Sequence, residues 1–237
     1  MGNRYFQFKK FRISQEKCAM KVGTDGVLLG AWTGSLASNI LDLGTGTGLL
    51  ALMMAQRSGA QITAIEIDKN AALQARKNIQ ESEWNKRISV LNLSLEEFAK
   101  QTQTTFDLII TNPPYFSNSL KSKNDSRTLA RNADSLSLNE IFDFESKALT
   151  KNGRISLVLP YDRLTHVQDL CEKKNLFTQR ICYVFPTPEK EISRVMIEAG
   201  RLKNDTVIEE NLIIEKNGRH QYAKEYINLT KDFYLKM

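Results

Sequence analysis

The run Asn112-Pro113-Pro114-Tyr115 brings an amide, two prolines and an aromatic ring together directly after an apolar segment. A residue that precedes proline is pushed out of the helical region, so Asn112 and Pro113 are both conformationally restrained. Proline has a carbonyl acceptor and no N–H donor. We therefore expect the Asn112 side-chain oxygen and the Pro113 carbonyl oxygen to form a rigid pair of hydrogen-bond acceptors.

Such a pair of acceptors suits a flat, conjugated amino group, whose lone pair is delocalised and therefore poorly nucleophilic. Two acceptors on its two N–H bonds favour a pyramidal nitrogen that can direct its lone pair at an activated methyl group. Tyr115 would stack on the base that carries the amine, a contact that contributes roughly 1–3 kcal/mol. This chemistry needs no metal and no catalytic histidine. The alternative is a proline-rich strand end with an incidental tyrosine.

A second candidate site is the glycine turn Asp42-Leu43-Gly44-Thr45-Gly46-Thr47-Gly48, which lies between an apolar run and a segment with helical spacing. Glycines permit tight turning and let a ligand approach the backbone. A dinucleotide fingerprint would need glycine where Leu49 or Ala51 stands, and no Gly-Lys-Ser/Thr follows as in a phosphate-binding P-loop. The pattern therefore favours a nucleoside ligand without a pyrophosphate, although a different ligand or a purely structural turn would fit it too.

S-adenosyl-L-methionine is a ligand that meets these requirements. Its cationic ammonium group would be met by Asp42 or by nearby carbonyl groups. Glu66 follows the next strand, 22 residues past Gly44, where an acidic side chain accepts both ribose hydroxyls. We predict that Gly44, Gly46, Asp42 and Glu66 bind this cofactor.

Short apolar runs alternate with helix-period segments through the central part of the chain, as in a parallel sheet covered by helices. Strands are predicted at 40–43, 61–67, 88–93, 106–111 and 154–159, and helices at 49–57, 70–83, 95–101 and 138–149. A further helix at 163–174 precedes strands at 180–185 and 194–202, whose short connection predicts an antiparallel edge hairpin. A last strand at 207–214 and a C-terminal helix at 222–235 complete the predicted fold.

The first 21 residues form a basic segment with interleaved aromatic residues. It contains six cations (Arg4, Lys9, Lys10, Arg12, Lys17 and Lys21) against the single acid Glu16, within a chain of net charge +6. This mixture suits phosphate contacts and base stacking, which predicts RNA binding by Lys9, Lys10 and Arg12. A solvated amphipathic edge strand would show the same pattern.

The remaining composition excludes several classes of protein. The three cysteines are an odd number without C-x-x-C spacing, which argues against a disulfide framework or a zinc site, and His166 and His220 lack a metal-ligand pattern. The longest apolar run is much shorter than a membrane span, and the N-terminus lacks a secretory signal pattern. We expect a cytoplasmic protein without membrane contact, and nothing in the sequence indicates an obligate protein partner.

A long polar connection, residues 115–137, follows the fourth predicted strand. Functional loops of α/β sheets lie at the carboxyl ends of strands, so this connection is a candidate lid or substrate-binding loop. A connector without a role is the alternative.

Taken together, these motifs resemble those of the class I amino-methyltransferases, and more closely those of the bacterial tRNA(Val) adenine N6-methyltransferases, which modify adenine 37 beside the anticodon. Beyond the glycine and Asn-Pro-Pro-Tyr motifs, the resemblance rests on Phe8, Cys18-Ala19-Met20-Lys21-Val22-Gly23-Thr24-Asp25-Gly26, Leu28-Leu29-Gly30-Ala31-Trp32 and Phe233-Tyr234-Leu235. It implies one Rossmann-like class I methyltransferase domain over residues 1–237, with residues 1–21 as a basic arm, and tRNA as the substrate.

The resemblance also implies roles for residues outside the two motifs. Gly23 and Thr24 would contact the methionine end of the cofactor, and Arg131 would lie close to the active site. Many relatives carry an acid after the third strand that binds the cofactor's adenine, whereas this chain has Ser94, which could still accept that hydrogen bond.

Enzymes with this motif also methylate DNA adenine, guanine N2 in ribosomal RNA, or a glutamine amide in release factors. The chain is short for a DNA target-recognition region, and the residues before Lys21 are too few for the N-terminal helical domain of release-factor enzymes. Both features favour a compact RNA enzyme. A non-catalytic RNA-binding or cofactor-binding protein is the alternative from another class.

Overall fold

The computed structural model describes residues 4–18, 20–114, 136–216 and 218–236. Its strands are β1 (Tyr5–Gln7), β2 (Arg12–Ser14), β3 (Asn39–Leu43), β4 (Gln61–Ile65), β5 (Ile88–Leu91), β6 (Phe106–Thr111), β7 (Leu149–Pro160), β8 (Phe177–Phe185), β9 (Arg194–Gly200) and β10 (Ile208–Ile213). Its helices are α1 (Thr24–Trp32), α2 (Leu49–Arg57), α3 (Lys69–Gln80), α4 (Leu95–Gln101), α5 (Leu138–Ala148), α6 (Leu164–Lys173) and α7 (Lys224–Thr230), with a 3-10 turn at Tyr161–Arg163.

Eight strands form one mostly parallel sheet in the order β10-β8-β9-β7-β6-β3-β4-β5. Strand β9 runs antiparallel to both β7 and β8, while β10 returns parallel to β8. The predicted doubly wound sheet with an antiparallel edge hairpin is therefore confirmed. The chain winds outward from β3 to β5 and then back to β6, so a topological switch point lies between β3 and β6, where ligands bind in open α/β sheets.

Helices bury both faces of this sheet, which explains the nearly continuous apolar runs of β3 and β6. Alternate residues of β6 belong to different cores: Leu108 and Ile110 pack on the side of α1 and α2, and Ile109 packs on the side of α5 and α6. A strand that is buried on both faces has little freedom to shift. The polar residues after β3 and β6 are therefore held at fixed positions at the carboxyl edge of the sheet.

Helix α1 was not predicted from the sequence. It is buried on all sides from Gly26 to Trp32, so its residues show no amphipathic period. Gly30 allows its close packing, because a Cβ there would lie 2.7 Å from the Met53 sulfur. Helix propensity is low at glycine, and tertiary packing overrides it here.

Within the N-terminal segment that was predicted as a basic arm, β1 and β2 form an antiparallel hairpin. Phe8 and Ile13 are completely buried, and Phe8 stacks on Phe11 with ring centroids 4.6 Å apart. Phe8 and Phe11 are therefore not available for stacking on bases. The expected C-terminal helix is shorter than predicted, because the chain leaves α7 to place Phe233 in the core and to bridge Tyr234 to Phe8.

Candidate active site

Four predicted site segments meet at the carboxyl edge of the sheet. The glycine turn follows β3, Glu66 follows β4, Ser94 follows β5, and Asn112 follows β6. Leu43 and Thr111 are register partners, and the Thr111 hydroxyl donates to the Leu43 carbonyl over 2.9 Å. The glycine turn and the Asn-Pro-Pro turn therefore leave the sheet side by side.

The glycine turn has the open backbone that a bound nucleoside requires. Gly44, Gly46 and Gly48 have φ values of 69°, 56° and 85°, a region that side chains disfavour. A Cβ at Gly44 or Gly46 would meet no atom within 4 Å, so the space above them is open. The backbone N–H groups of Gly44 and Thr45 both donate to the Ile65 carbonyl, which ties the turn to β4.

Asp42 lies beneath this turn and is completely buried. Its Oδ2 atom accepts hydrogen bonds from the Thr45 hydroxyl and from the Ala51 backbone N–H. Burial, and to a lesser extent the charge of Glu66, raises the pKa of Asp42 to about 7 against the two hydrogen bonds that lower it. Asp42 does not line the cavity described below, so the structure places it as a support for the turn instead of as an exposed partner for an ammonium group.

Glu66 is fixed at the mouth of the site by hydrogen bonds to both carboxylate oxygens. Oε2 accepts from the Gly46 backbone N–H and Oε1 accepts from the Asp68 backbone N–H, each over 2.9 Å. The Asn92 side chain donates to the carbonyls of Glu66 and Ile67. Each carboxylate oxygen keeps a further acceptor position, which suits the two hydroxyls of a ribose.

One cavity of about 940 Å³ joins these segments. Of the residues predicted from the sequence, it is lined by Gly44, Gly46, Glu66, Ser94, Asn112, Pro113 and Pro114. Its volume lies within the range of about 300–1,000 Å³ that is typical of small-molecule and cofactor sites. The structure therefore brings the glycine turn, the ribose acid and the Asn-Pro-Pro turn into one site.

The first turn of α1, which includes the predicted cofactor contact Thr24 and follows Gly23, lies beside the site, although neither residue lines the cavity. Gly23 caps this helix without a side-chain hydrogen bond. A Cβ at Gly26 would lie 3.0 Å from Leu49 and 3.8 Å from the Asn112 side-chain nitrogen. The backbone of α1 at Gly26 thus packs directly against Asn112 and the start of α2.

Comparison with known proteins agrees with this geometry. Residues 20–163 match the family Methyltransferase small domain. The chain is 45% identical to the tRNA1(Val) (adenine(37)-N6)-methyltransferase of Parabacteroides distasonis and 42% identical to that of Trichodesmium erythraeum, with complete coverage of each chain. The chain belongs to this methyltransferase family.

Solved methyltransferase structures share the fold. A predicted O-methyltransferase from Agrobacterium tumefaciens superposes with a TM-score of 0.69 at 20% identity, over 88% of this chain and 96% of that one. A putative RNA methyltransferase from Pyrococcus horikoshii gives a TM-score of 0.52 at 13% identity, over 75% and 82% of the two chains. These similarities extend to the architecture of the sheet and its helices.

In this methyltransferase, Ser94 is the N-cap of α4. Its hydroxyl accepts from the Glu97 backbone N–H and donates to the Glu97 carboxylate, which also accepts from the Ser94 backbone N–H. The two bonds from Ser94 lower the pKa of Glu97. The Ser94 hydroxyl is thus largely used by this capping box, and its contact with the cofactor's adenine stays a prediction.

The predicted RNA-binding residues lie apart from the cavity. Lys9 and Lys10 occupy the turn of the β1–β2 hairpin, beside Gln56 and Arg57 in the last turn of α2. The glycine turn lies at the other end of α2. The Lys9 ammonium donates to the Lys231 carbonyl. Arg12 stacks over the Tyr5 ring at 5.0 Å. Tyr115, Arg131 and residues 115–135 of the predicted substrate loop lie outside the described residues.

Cysteine chemistry does not enter the site. Cys18 lines the cavity, but burial and the nearby carboxylates of Glu66 and Asp68 raise the pKa of its thiol to about 11. A neutral thiol is a poor nucleophile. Among the residues that the structure describes, no cluster of histidine, cysteine and acidic side chains could hold a metal ion, and no helix is long and apolar enough to cross a membrane.

Proposed function

We propose that this protein transfers the methyl group of S-adenosyl-L-methionine to the exocyclic N6 amine of adenine 37 in tRNA(Val). The observation that carries the proposal is the position of Asn112 and Pro113, which share one cavity with the glycine turn and Glu66. The activity for which full-length relatives of more than 40% identity are named supports the same substrate.

The residues of the cavity fit the cofactor. Glu66 would accept the ribose hydroxyls, the open backbone at Gly44 and Gly46 would lie against the nucleoside, and the start of α1 at Gly23 and Thr24 would face the methionine carboxylate. A helix N-terminus offers backbone N–H groups and a positive dipole end to an anion. When bound, the cofactor supplies an electrophilic sulfonium methyl group.

The Asn-Pro-Pro turn would hold the target amine. The Asn112 side-chain oxygen and the Pro113 carbonyl oxygen would accept hydrogen bonds from its two N–H groups. These bonds favour a pyramidal nitrogen whose lone pair points at the methyl group. Pro113 is buried and Asn112 is half-buried. This burial would restrict both acceptors before the base enters, and Tyr115 would stack on the base.

A tRNA substrate also needs contacts to its phosphate backbone. We propose that Lys9, Lys10 and Arg12 provide them together with Arg131, in a cytoplasmic protein. Because Lys9 and Lys10 lie at the far end of α2, they would contact the tRNA at a distance from the flipped adenine. Such contacts add affinity without sequence information.

The proposal is tested by supplying purified protein and methyl-labelled cofactor with four separate pools: total tRNA, ribosomal RNA, DNA and release factor. We expect label in tRNA alone, as N6-methyladenosine. Label in ribosomal RNA or in the release factor would assign the same chemistry to another substrate. Binding of cofactor without transfer to any pool would overturn the enzymatic assignment.

A further inference from the structure

We infer that the ion pair between Asp25 and Arg194 is a positioning device that holds the first turn of α1 against Asn112 and thereby sets the geometry of methyl transfer. The inference rests on the proposed function. It concerns two residues that do not line the cavity and to which no role was assigned from the sequence.

The two residues come from opposite parts of the chain and meet beside the active site. Arg194 Nε lies 2.9 Å from Asp25 Oδ2, and the side chains are 35% and 27% exposed. Arg194 begins β9 and is the register partner of Pro160, at the carboxyl end of β7. Its Nη1 also donates to the Ser193 carbonyl over 2.9 Å, which fixes the guanidinium on its own strand.

Asp25 lies in the part of α1 that contacts the catalytic turn. The next residue, Gly26, packs against Asn112 and against Leu49, the first residue of α2 after the glycine turn. Any shift of this turn would move the wall that supports the Asn112 amide. It would also disturb the start of α2 beside the cofactor.

The first turn of α1 is weakly fixed by its own sequence. Gly23 provides no side-chain cap, and glycines at 23 and 26 leave the backbone with high conformational freedom. The last turn is anchored differently: the Trp32 indole donates to Glu210, Arg180 stacks on the Trp32 ring at 4.3 Å, and Arg57 donates to the carbonyls of Gly30 and Thr33. The pair to Arg194 supplies a comparable anchor at the end of α1 near the site.

This arrangement separates the role of the pair from global stability. A partly exposed ion pair contributes little to the free energy of unfolding. A misplacement of about 1 Å at a catalytic group can lower the rate about 100-fold. Loss of the pair should therefore lower kcat, measured at saturating cofactor, while leaving the melting temperature nearly unchanged.

The test compares Asp25→Asn, Arg194→Gln and the double variant with the wild-type protein. The measurements are kcat and KM with tRNA, the Kd of S-adenosylhomocysteine by calorimetry, and Tm. We expect each single variant to lose about tenfold or more in kcat at saturating cofactor, a larger factor than any weakening of Kd. The double variant should be no slower than the slower single variant, because both substitutions remove one interaction.

Asp107→Asn is the matched control. Asp107 is also a partly exposed aspartate with structural hydrogen bonds, but these reach Ser38, Asn39 and Thr150 at the opposite edge of the sheet. This variant should lower Tm without lowering kcat. If Asp25→Asn does not fold, Arg194→Gln alone is sufficient to test the inference.

Several results would overturn the inference. They are an unchanged kcat in both single variants, independent multiplicative losses in the double variant, or a kcat that falls only in proportion to Tm and cofactor affinity. A wild-type protein that transfers no methyl group to tRNA would overturn the proposed function itself. An active wild type with unaffected variants would overturn only the positioning role.

Discussion

The buried carboxyl group of Asp42 predicts an unusual dependence of stability on pH. Asp42 has no solvent exposure, and its Oδ1 atom has no hydrogen-bond partner among the described residues. Burial raises its pKa from 3.8 to about 7. The ionised form is therefore disfavoured in the folded protein relative to the unfolded chain.

The size and sign of the effect follow from linkage. Between about pH 4 and pH 7 the folded protein binds more protons at this group than the unfolded chain, so the free energy of unfolding falls as pH rises, by about 1.4 kcal/mol per pH unit. At a pH below the pKa of Asp42 in the unfolded chain, the neutral carboxyl group contributes about 4 kcal/mol to the free energy of unfolding. This contribution is lost by about pH 7. Asp42→Asn keeps an acceptor for Thr45 and Ala51 and removes the charge. It should stabilise the cofactor-free protein increasingly as pH rises.

Urea unfolding of wild type and Asp42→Asn, without cofactor, from about pH 5 to pH 8.5 measures this difference directly. Burial also raises the pKa of Glu145, which adds a pH dependence of its own to the stability of both proteins. This contribution cancels in the difference between the two proteins, which therefore reports on Asp42. We expect the variant's advantage to increase up to about pH 7 and then to level off. A difference that is independent of pH, or one that turns against the variant as pH rises, would show that Asp42 does not titrate with a raised pKa in the folded protein.

Three further predictions concern the cofactor, the core and the RNA. Glu66→Gln should weaken S-adenosylhomocysteine binding at least about tenfold in calorimetry, since a charge-assisted acceptor of the ribose becomes neutral; unchanged affinity would remove Glu66 from the ribose site. Gly30→Ala should lower the free energy of unfolding, measured by urea denaturation, by about 1–3 kcal/mol, because the new Cβ would overlap Met53. A variant as stable as the wild type would show that α1 can move to accommodate the methyl group. Charge reversal at Lys10 and Arg12 should weaken tRNA binding in a filter-binding assay and flatten its salt dependence. Lys9 is left intact because its ammonium group donates to the Lys231 carbonyl. Unchanged binding would leave the hairpin only a structural role.

The parallel strands and the two main motifs could be predicted from the sequence because their signals are local. Apolar runs mark strands that are buried on both faces, and Gly44 and Pro113 restrict the backbone at the strand ends. The order of these segments along the chain then places them at one edge of the sheet. Such reasoning found the glycine turn, Glu66 and the Asn-Pro-Pro turn among the segments that line the cavity.

The features that were missed depend on tertiary packing. Helix α1 has no amphipathic pattern because it is buried on all sides, and the aromatic residues of the N-terminal hairpin pack into the core. Asp25 and Arg194 are 169 residues apart in sequence, and no local pattern links them. Whether Asp42 faces the ligand or lies beneath the turn depends on the path of the turn above it.

The Asn112 side-chain oxygen is proposed to orient the amine that receives the methyl group. The most direct measurement is the rate at which the wild type and Asn112→Ala form N6-methyladenosine at position 37 of tRNA(Val), quantified by nucleoside mass spectrometry, with S-adenosylhomocysteine affinity measured alongside. We expect the wild type to methylate this nucleotide and Asn112→Ala to bind the cofactor product normally while losing turnover. An Asn112→Ala protein that methylates adenine 37 at near wild-type rate would show that Asn112 does not orient the amine.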